Sequence, residues 1–399
     1  MKFKALMLAA SALGACATAQ PDAAIIHERA LVIDTHQDVP LFMREFGLDF
    51  TARSTNPNIP TDLPRMEEGG VDAVFFALWT PGSEDHRAMR ERAYEMARLS
   101  RCMIERNPTR LSLVDTREGI EQTVAAGRTA VVFGLEGGHI LAGDLNELPP
   151  LRALGVRYMT LTHDVSHEWA DAALGERRWG GLNDLGRAVV RELNDLGIVA
   201  DLTHGSDETF MDTVAVSRAP VMISHGGVRA LVDNPLNASD EMLDALGRNG
   251  GVISIIFFDP QVNPALTPEI MAEARQRVTT QFGGDPSKIW DAVFAIMEER
   301  GLPPATLSNA VDQIDYVARR IGVDHVAIGS DFLGGARLVG LEDISKMPAL
   351  TAELLRRGYS ARDVGKILGG NVLRVLAEAE RVANRDRVAA LSRPAARCD

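Results

Sequence analysis

Four histidines and several acids in this chain fall where they could share a metal ion. In Asp34-Thr35-His36-Gln37-Asp38, a strand period of two puts Asp34, His36 and Asp38 on one face, so an imidazole and a carboxylate can reach one cation. Glu136 stands before Gly137-Gly138, which leave space around it, and a carboxylate can bridge two ions. His204 and His225 then supply imidazoles for a second ion from neighbouring strands, and His163 and Asp331 complete the set. A lone histidine at a strand end is usually hydrogen-bonded filler. Independent filler at four strand ends, together with matched carboxylates, is improbable. Asp34 is expected to orient an imidazole rather than to bind a cation. His27, His86, His139, His167 and His325 fall off the pattern and keep structural roles, while Trp79, Trp169 and Phe258 line the pocket or fill the barrel top.

The elements that must position these residues recur along the chain. Apolar, β-branched runs of strand length lie at 30–33, 71–78, 130–134, 156–161, 198–202, 220–223, 251–258 and 325–329, with helical spacing between them. Continuous apolar strands alternating with helices imply a parallel sheet buried on both faces. Eight such units make a (β/α)8 TIM barrel, an α/β fold in one domain. An open doubly wound sheet is the competing architecture, but it would spread the polar residues along a line. A barrel gathers them at one mouth. Residues 264–304 exceed one helix and form a helical insertion before strand eight. Gly369-Gly370-Asn371 is expected to separate two helices. The expected organisation is a leader at 1–19, the barrel domain at 22–383 and a wandering C-terminal tail at 384–399.

Composition narrows the partners. With 42 Lys+Arg against 55 Asp+Glu, the chain offers no electrostatic footprint for nucleic acid. Cys16, Cys102 and Cys398 are too few and too scattered for a disulfide framework or a thiolate metal cluster, so a metal must use His and carboxylate. Lys2 and Lys4 followed by an apolar run have the form of an export signal, too short to span a membrane as a mature helix. Leu13-Gly14-Ala15-Cys16 resembles a bacterial lipoprotein box with Cys16 acylated; an ordinary cleavage site at Ala17-Thr18-Ala19 competes with it. Export to the bacterial periplasm or envelope, with a lipid anchor at Cys16, is the expectation.

Six motifs give the chain a family resemblance: Ile33-Asp34-Thr35-His36-Gln37-Asp38, Leu135-Glu136-Gly137-Gly138-His139, Leu161-Thr162-His163 with Trp169-Ala170-Asp171, Asp201-Leu202-Thr203-His204, Ala219-Pro220-Val221-Met222-Ile223-Ser224-His225 and Ile328-Gly329-Ser330-Asp331-Phe332. In this order, from about Ala30 to about Ala379, they resemble the membrane (renal) dipeptidase family of zinc metallopeptidases. The resemblance implies two Zn2+ ions, His36 and Asp38 on one, His204 and His225 on the other, Glu136 bridging. It implies that a metal-bridging hydroxide attacks the substrate, that His163 contacts the scissile carbonyl and that Asp331 handles the proton. A homodimer is also implied.

Three positions depart from the family pattern. Leu236 aligns with an expected arginine for the substrate's terminal carboxylate, Phe258 with a tyrosine, and Leu333 with an aspartate. Arg229 or Arg337 is expected to supply the missing charge from nearby loops. The leading expectation is a hydrolase of dipeptides or closely related small amides. N-acyl amino acids, lactams or phosphoesters are alternative substrates. No lysine ends a strand, which disfavours a carboxylated-lysine bridge of the phosphotriesterase kind. A non-catalytic ligand-binding lipoprotein would require a broken metal set.

Overall fold

The strands form because each is an apolar run that can be buried on both faces. In the computed structural model, which describes residues 22–82, 84–283, 288–392 and 398, they are β1 (Ile33–Gln37), β2 (Ala73–Trp79), β3 (Leu111–Leu113), β4 (Thr129–Glu136), β5 (Val156–Thr160), β6 (Val199–Asp201), β7 (Met222–Gly226), β8 (Val252–Ile255) and β9 (Val326–Ile328). All pairings are parallel, in the order β1-β2-β4-β5-β6-β7-β8-β9. The ring nearly closes where Thr35 Oγ1 donates to the Ile328 carbonyl at 3.1 Å and the Asp331 amide donates to the His36 carbonyl at 3.3 Å. These eight strands make the TIM-type barrel. The short β3, which the sequence reading did not foresee, pairs only with β4 from outside.

Every barrel strand sends an apolar side chain into the interior: Ile33, Phe75, Val132, Tyr158, Val199, Met222, Val252 and Ala327 belong to one buried cluster. Helix Asn371–Val382 plugs that cluster with Val372, Val375 and Leu376. Further along the inward faces the layer turns polar, with Thr160, Asp201 and Ser224 hydrogen-bonded to one another. Polar chemistry is therefore left to the C-terminal mouth. Outside, amphipathic helices cover the ring. Helix Asp184–Leu196 buries Val189, Val190, Leu193 and Leu196 and is capped by Asn183, which accepts from the Gly186 amide.

The helical insertion before the last barrel strand is present as Asp259–Val262, Pro268–Gln281 and Ile289–Arg300, and the last two helices share a small core of their own. Two other expectations fail. Helices Ala361–Gly365 and Asn371–Val382 are joined without a break by a π turn, Lys366–Gly370. Gly369 is required by packing instead of by a turn, because a Cβ there would lie 2.3 Å from the Leu31 carbonyl oxygen. Nor does the chain simply wander after Asn384. It forms helix Arg385–Ala389, pins Arg387 to Glu192, and ends in a Cys102–Cys398 disulfide, a single bridge across 296 residues of sequence. The expected leader and Cys16 lie outside the described residues.

Candidate metal centre

Each site residue comes from the mouth end of a strand. His36 ends β1, but the register slips between Asp34 and Gln37. The expected period of two breaks there: Asp38 has left the strand and opens helix Val39–Phe46. Asp34 faces away from the pocket, and its carboxylate accepts from the Ser330 amide and hydroxyl, the Gln37 side chain and the His36 amide. It therefore braces the backbone and does not orient an imidazole. Glu136 ends β4, and His225 lies within β7. His163, His204 and Asp331 follow β5, β6 and β9. His204 and Asp331 have φ of 64° and 58°, two of the three non-glycine positive φ values among the described residues. Such backbone costs about 1–2 kcal/mol per residue and persists where the surroundings enforce it.

The four imidazoles turn the same nitrogen towards Glu136. Its Oε2 lies 3.4 Å from His36 Nε2; its Oε1 lies 3.4 Å from His204 Nε2, 3.5 Å from His225 Nε2 and 3.9 Å from His163 Nε2. Behind them, polar groups face each Nδ1. Tyr158 OH is 2.9 Å from His36 Nδ1, and Ser224 Oγ, which donates to Asp201, is 3.0 Å from His225 Nδ1. Asp164 serves the other two, with Oδ1 3.2 Å from His204 Nδ1 and Oδ2 3.6 Å from His163 Nδ1. The hydrogen bonds at Nδ1 of His36 and His225 fix the tautomer that presents Nε2 as a ligand atom. Tyr158 fits because β4 has a glycine opposite: a Cβ on Gly134 would be 2.1 Å from the tyrosine ring.

Charge in the pocket is one-sided. Asp38, Glu136, Asp164 and Asp331 line it with no lysine or arginine among the described residues. Burial pushes the Asp331 carboxyl well up and, with Glu136 nearby, the Asp38 carboxyl to about 7. Burial works to lower His36 and His204, yet the facing carboxylates hold both at about 10. Facing carboxylates of this kind call for positive charge, which divalent cations held by the same donors would supply. The donor set fits such ions. His36–Glu136–His225, Glu136–His163–His204 and His36–Asp38–Asp331 each gather donor atoms within 4.8 Å, and Asp38 Oδ1 is buried without a hydrogen-bond partner.

All seven residues proposed for metal and proton chemistry line one cavity of about 260 Å³, together with Leu236, Phe258 and Trp79. Arg229 and Arg337 do not. The Arg229 guanidinium makes a two-pronged pair with Asp207 at 2.6 and 2.7 Å, and Arg337 donates to the Pro57 carbonyl on the surface. Neither replaces the charge missing at Leu236. Trp169 is core, packed where a Cβ on Gly138 would meet its ring. Sequence reasoning missed Asp164, Tyr158, Gln261 and Trp290. Tyr158 was findable from the inward face of β5 and Asp164 from its place beside His163, whereas nothing local marks Trp290 in the insertion.

Comparisons with known proteins agree with this geometry. The family described as Membrane dipeptidase (Peptidase family M19) matches residues 21–389. Dipeptidase verJ of Clonostachys rogersoniana is 32% identical over 366 residues, covering 88% of this chain and 84% of its own length. Dipeptidase tcpJ of Claviceps purpurea is 35% identical over 333 residues, 81% of this chain and 70% of its own. The crystal structure of the probable dipeptidase PvdM from Pseudomonas aeruginosa superposes with a TM-score of 0.81 at 29% identity, over 90% of this chain and 98% of that one. A Rhodobacter sphaeroides metallo peptidase, solved with a phosphinate mimic of the dipeptide L-Ala-D-Ala, shares the fold at a TM-score of 0.71 and 22% identity, over 88% and 99%.

Proposed function

The chain belongs to the membrane dipeptidase family, peptidase family M19, and from that membership we propose that it is a binuclear zinc hydrolase of dipeptides or closely related small amides. The observation that carries the reading is Glu136, whose two carboxylate oxygens face His36 on one side and His204 with His225 on the other. His36 and Asp38 would hold one ion, His204 and His225 the second, with Glu136 shared. When bound, such a pair lowers the pKa of a shared water towards neutrality and polarises the scissile carbonyl.

The remaining chemistry falls to the chain's own groups. His163 lines the pocket with Nε2 3.9 Å from Glu136 Oε1, and with its ring proton on Nε2 it would donate to the carbonyl oxygen as negative charge develops there. Asp331 Oδ1 lies 3.9 Å from His36 Nε2, and burial raises its carboxyl. A carboxylate of raised basicity suits the task of taking a proton from the attacking water and passing it to the leaving amine. The Asp331 amide donates to the His36 carbonyl at 3.3 Å, which ties this carboxylate to the strand that carries a proposed metal ligand.

Export to the envelope, with the lipid anchor on Cys16, is part of the same proposal. The N-terminal pattern supports it, and so does the Cys102–Cys398 bridge, a bond that persists in oxidising compartments. Homodimerisation rests on the family resemblance. To test the activity, purified protein is loaded with zinc and offered a panel of dipeptides with free and with capped C-termini. Cleavage of at least one class, lost in Asp331→Asn with metal content retained, is expected. A protein that holds two ions and cleaves neither class overturns the reading.

A further inference from the structure

The pocket has two kinds of lining. Besides the residues proposed for metal and proton chemistry, Leu41, Leu236, Phe258, Trp290 and Leu333 give it an apolar wall that Gln261 joins as a polar side chain. The Leu236, Phe258 and Trp290 parts of this wall are held to one another. Asn234 Nδ2 donates to the Pro260 carbonyl at 2.9 Å and Asn237 Nδ2 to the Gln261 carbonyl at 2.8 Å, clamping the Leu236 loop onto the segment that follows Phe258. Phe258 is buried and meets the insertion edge-on, with ring centroids 5.4 Å from Trp290 and 5.9 Å from Phe294. No lysine or arginine lines the pocket among the described residues, and Arg229, on the same loop, is held by Asp207.

A free carboxylate placed against this wall would lose water and find no lysine or arginine there to pair with, the cations of the hydrolase reading being held by the ligands elsewhere in the pocket. Burial of an unpaired charge is strongly unfavourable. An uncharged apolar group would gain area against two aromatic rings and three leucines. Resting on the hydrolase reading above, we infer that the substrate's end against this wall is apolar and uncharged: the site prefers a C-terminally capped dipeptide, as an amide, to the free-acid dipeptide. Leu236 and Trp290 are then the residues that set this preference.

The test compares alanyl-leucine with alanyl-leucinamide on zinc-loaded wild type, Leu236→Arg and Trp290→Ala, with metal content and circular dichroism measured alongside. Wild type should show kcat/KM for the amide exceeding that for the acid by about tenfold or more. Leu236→Arg should reverse the order by lowering KM for the acid, and Trp290→Ala should raise KM for the amide. Equal or better cleavage of the acid by wild type overturns the inference and leaves the hydrolase reading standing. So does a preference that Leu236→Arg does not move while it keeps its metal and fold. Cleavage of neither compound counts against both.

Discussion

Replacing Glu136 by glutamine keeps the shape of the side chain and removes its charge. The residue is 3% exposed and its two oxygens lie 3.4–3.9 Å from four imidazole nitrogens. In the variant one arm still carries an oxygen, whereas the other presents an NH2 donor that cannot bind a cation. In the proposed two-ion site, one ion would lose a ligand outright and both would lose a negative charge. Loss of a group that merely supports a ligand typically lowers metal affinity by about 10–100-fold. A shared ligand should exceed the upper figure, so one ion is expected to weaken by at least about 100-fold, or ~2.7 kcal/mol. Activity should fall by on the order of 10²–10³-fold through the loss of charge stabilisation. Dialysis against graded chelator, followed by metal analysis and a thermal melt, separates metal loss from unfolding. A Glu136→Gln protein that keeps two ions as tightly as wild type, with most of its activity, rules out Glu136 as a shared ligand.

Three other perturbations probe other parts of the structure. Tyr158→Phe removes the hydroxyl 2.9 Å from His36 Nδ1; the ion on His36 and Asp38 should weaken by about 10–100-fold while the His204–His225 ion changes less, as read by metal-competition titration. Asp72 is pushed up to about 6 by burial, against an accepted bond from the Val32 amide. The folded state then binds the extra proton between about pH 4 and 6, so stability falls as pH rises through that window. Asp72→Asn should stabilise the protein at pH 7 by up to about 2 kcal/mol, a gain that vanishes below about pH 4 in denaturant titrations; a pH-independent effect would contradict it. Cys398→Ser opens a bridge that closes a loop across 296 residues, and melts should show a loss of about 2–4 kcal/mol with metal content unchanged. An unaltered melting temperature would mean the bridge does not form in the protein as made.

The barrel was legible because parallel strands buried on both faces must be written as unbroken apolar runs, and eight of them with polar residues at their ends leave little choice of architecture. The histidines and acids at those ends were legible for the same reason. What failed depended on local departures from periodicity or on distant contacts. The register slip after Asp34 turned that residue from the expected imidazole partner into a backbone brace. Leu111–Leu113 is too short to announce itself as a strand. Arg229 has the right charge and the right loop, yet it pairs with Asp207 and does not line the pocket. Cysteine spacing says nothing about proximity, so the approach of Cys398 to Cys102 was invisible. Gly369 looked like punctuation and proved to be a packing residue. Trp290 reaches the pocket only because the insertion folds back over Phe258.

The most direct measurement is an anomalous-scattering map from crystals of the zinc-loaded protein. Two peaks are expected, one between His36 and Asp38 and one between His204 and His225, with Glu136 touching both. A single peak, or peaks that leave Glu136 outside ligand distance, would contradict the proposed two-ion site.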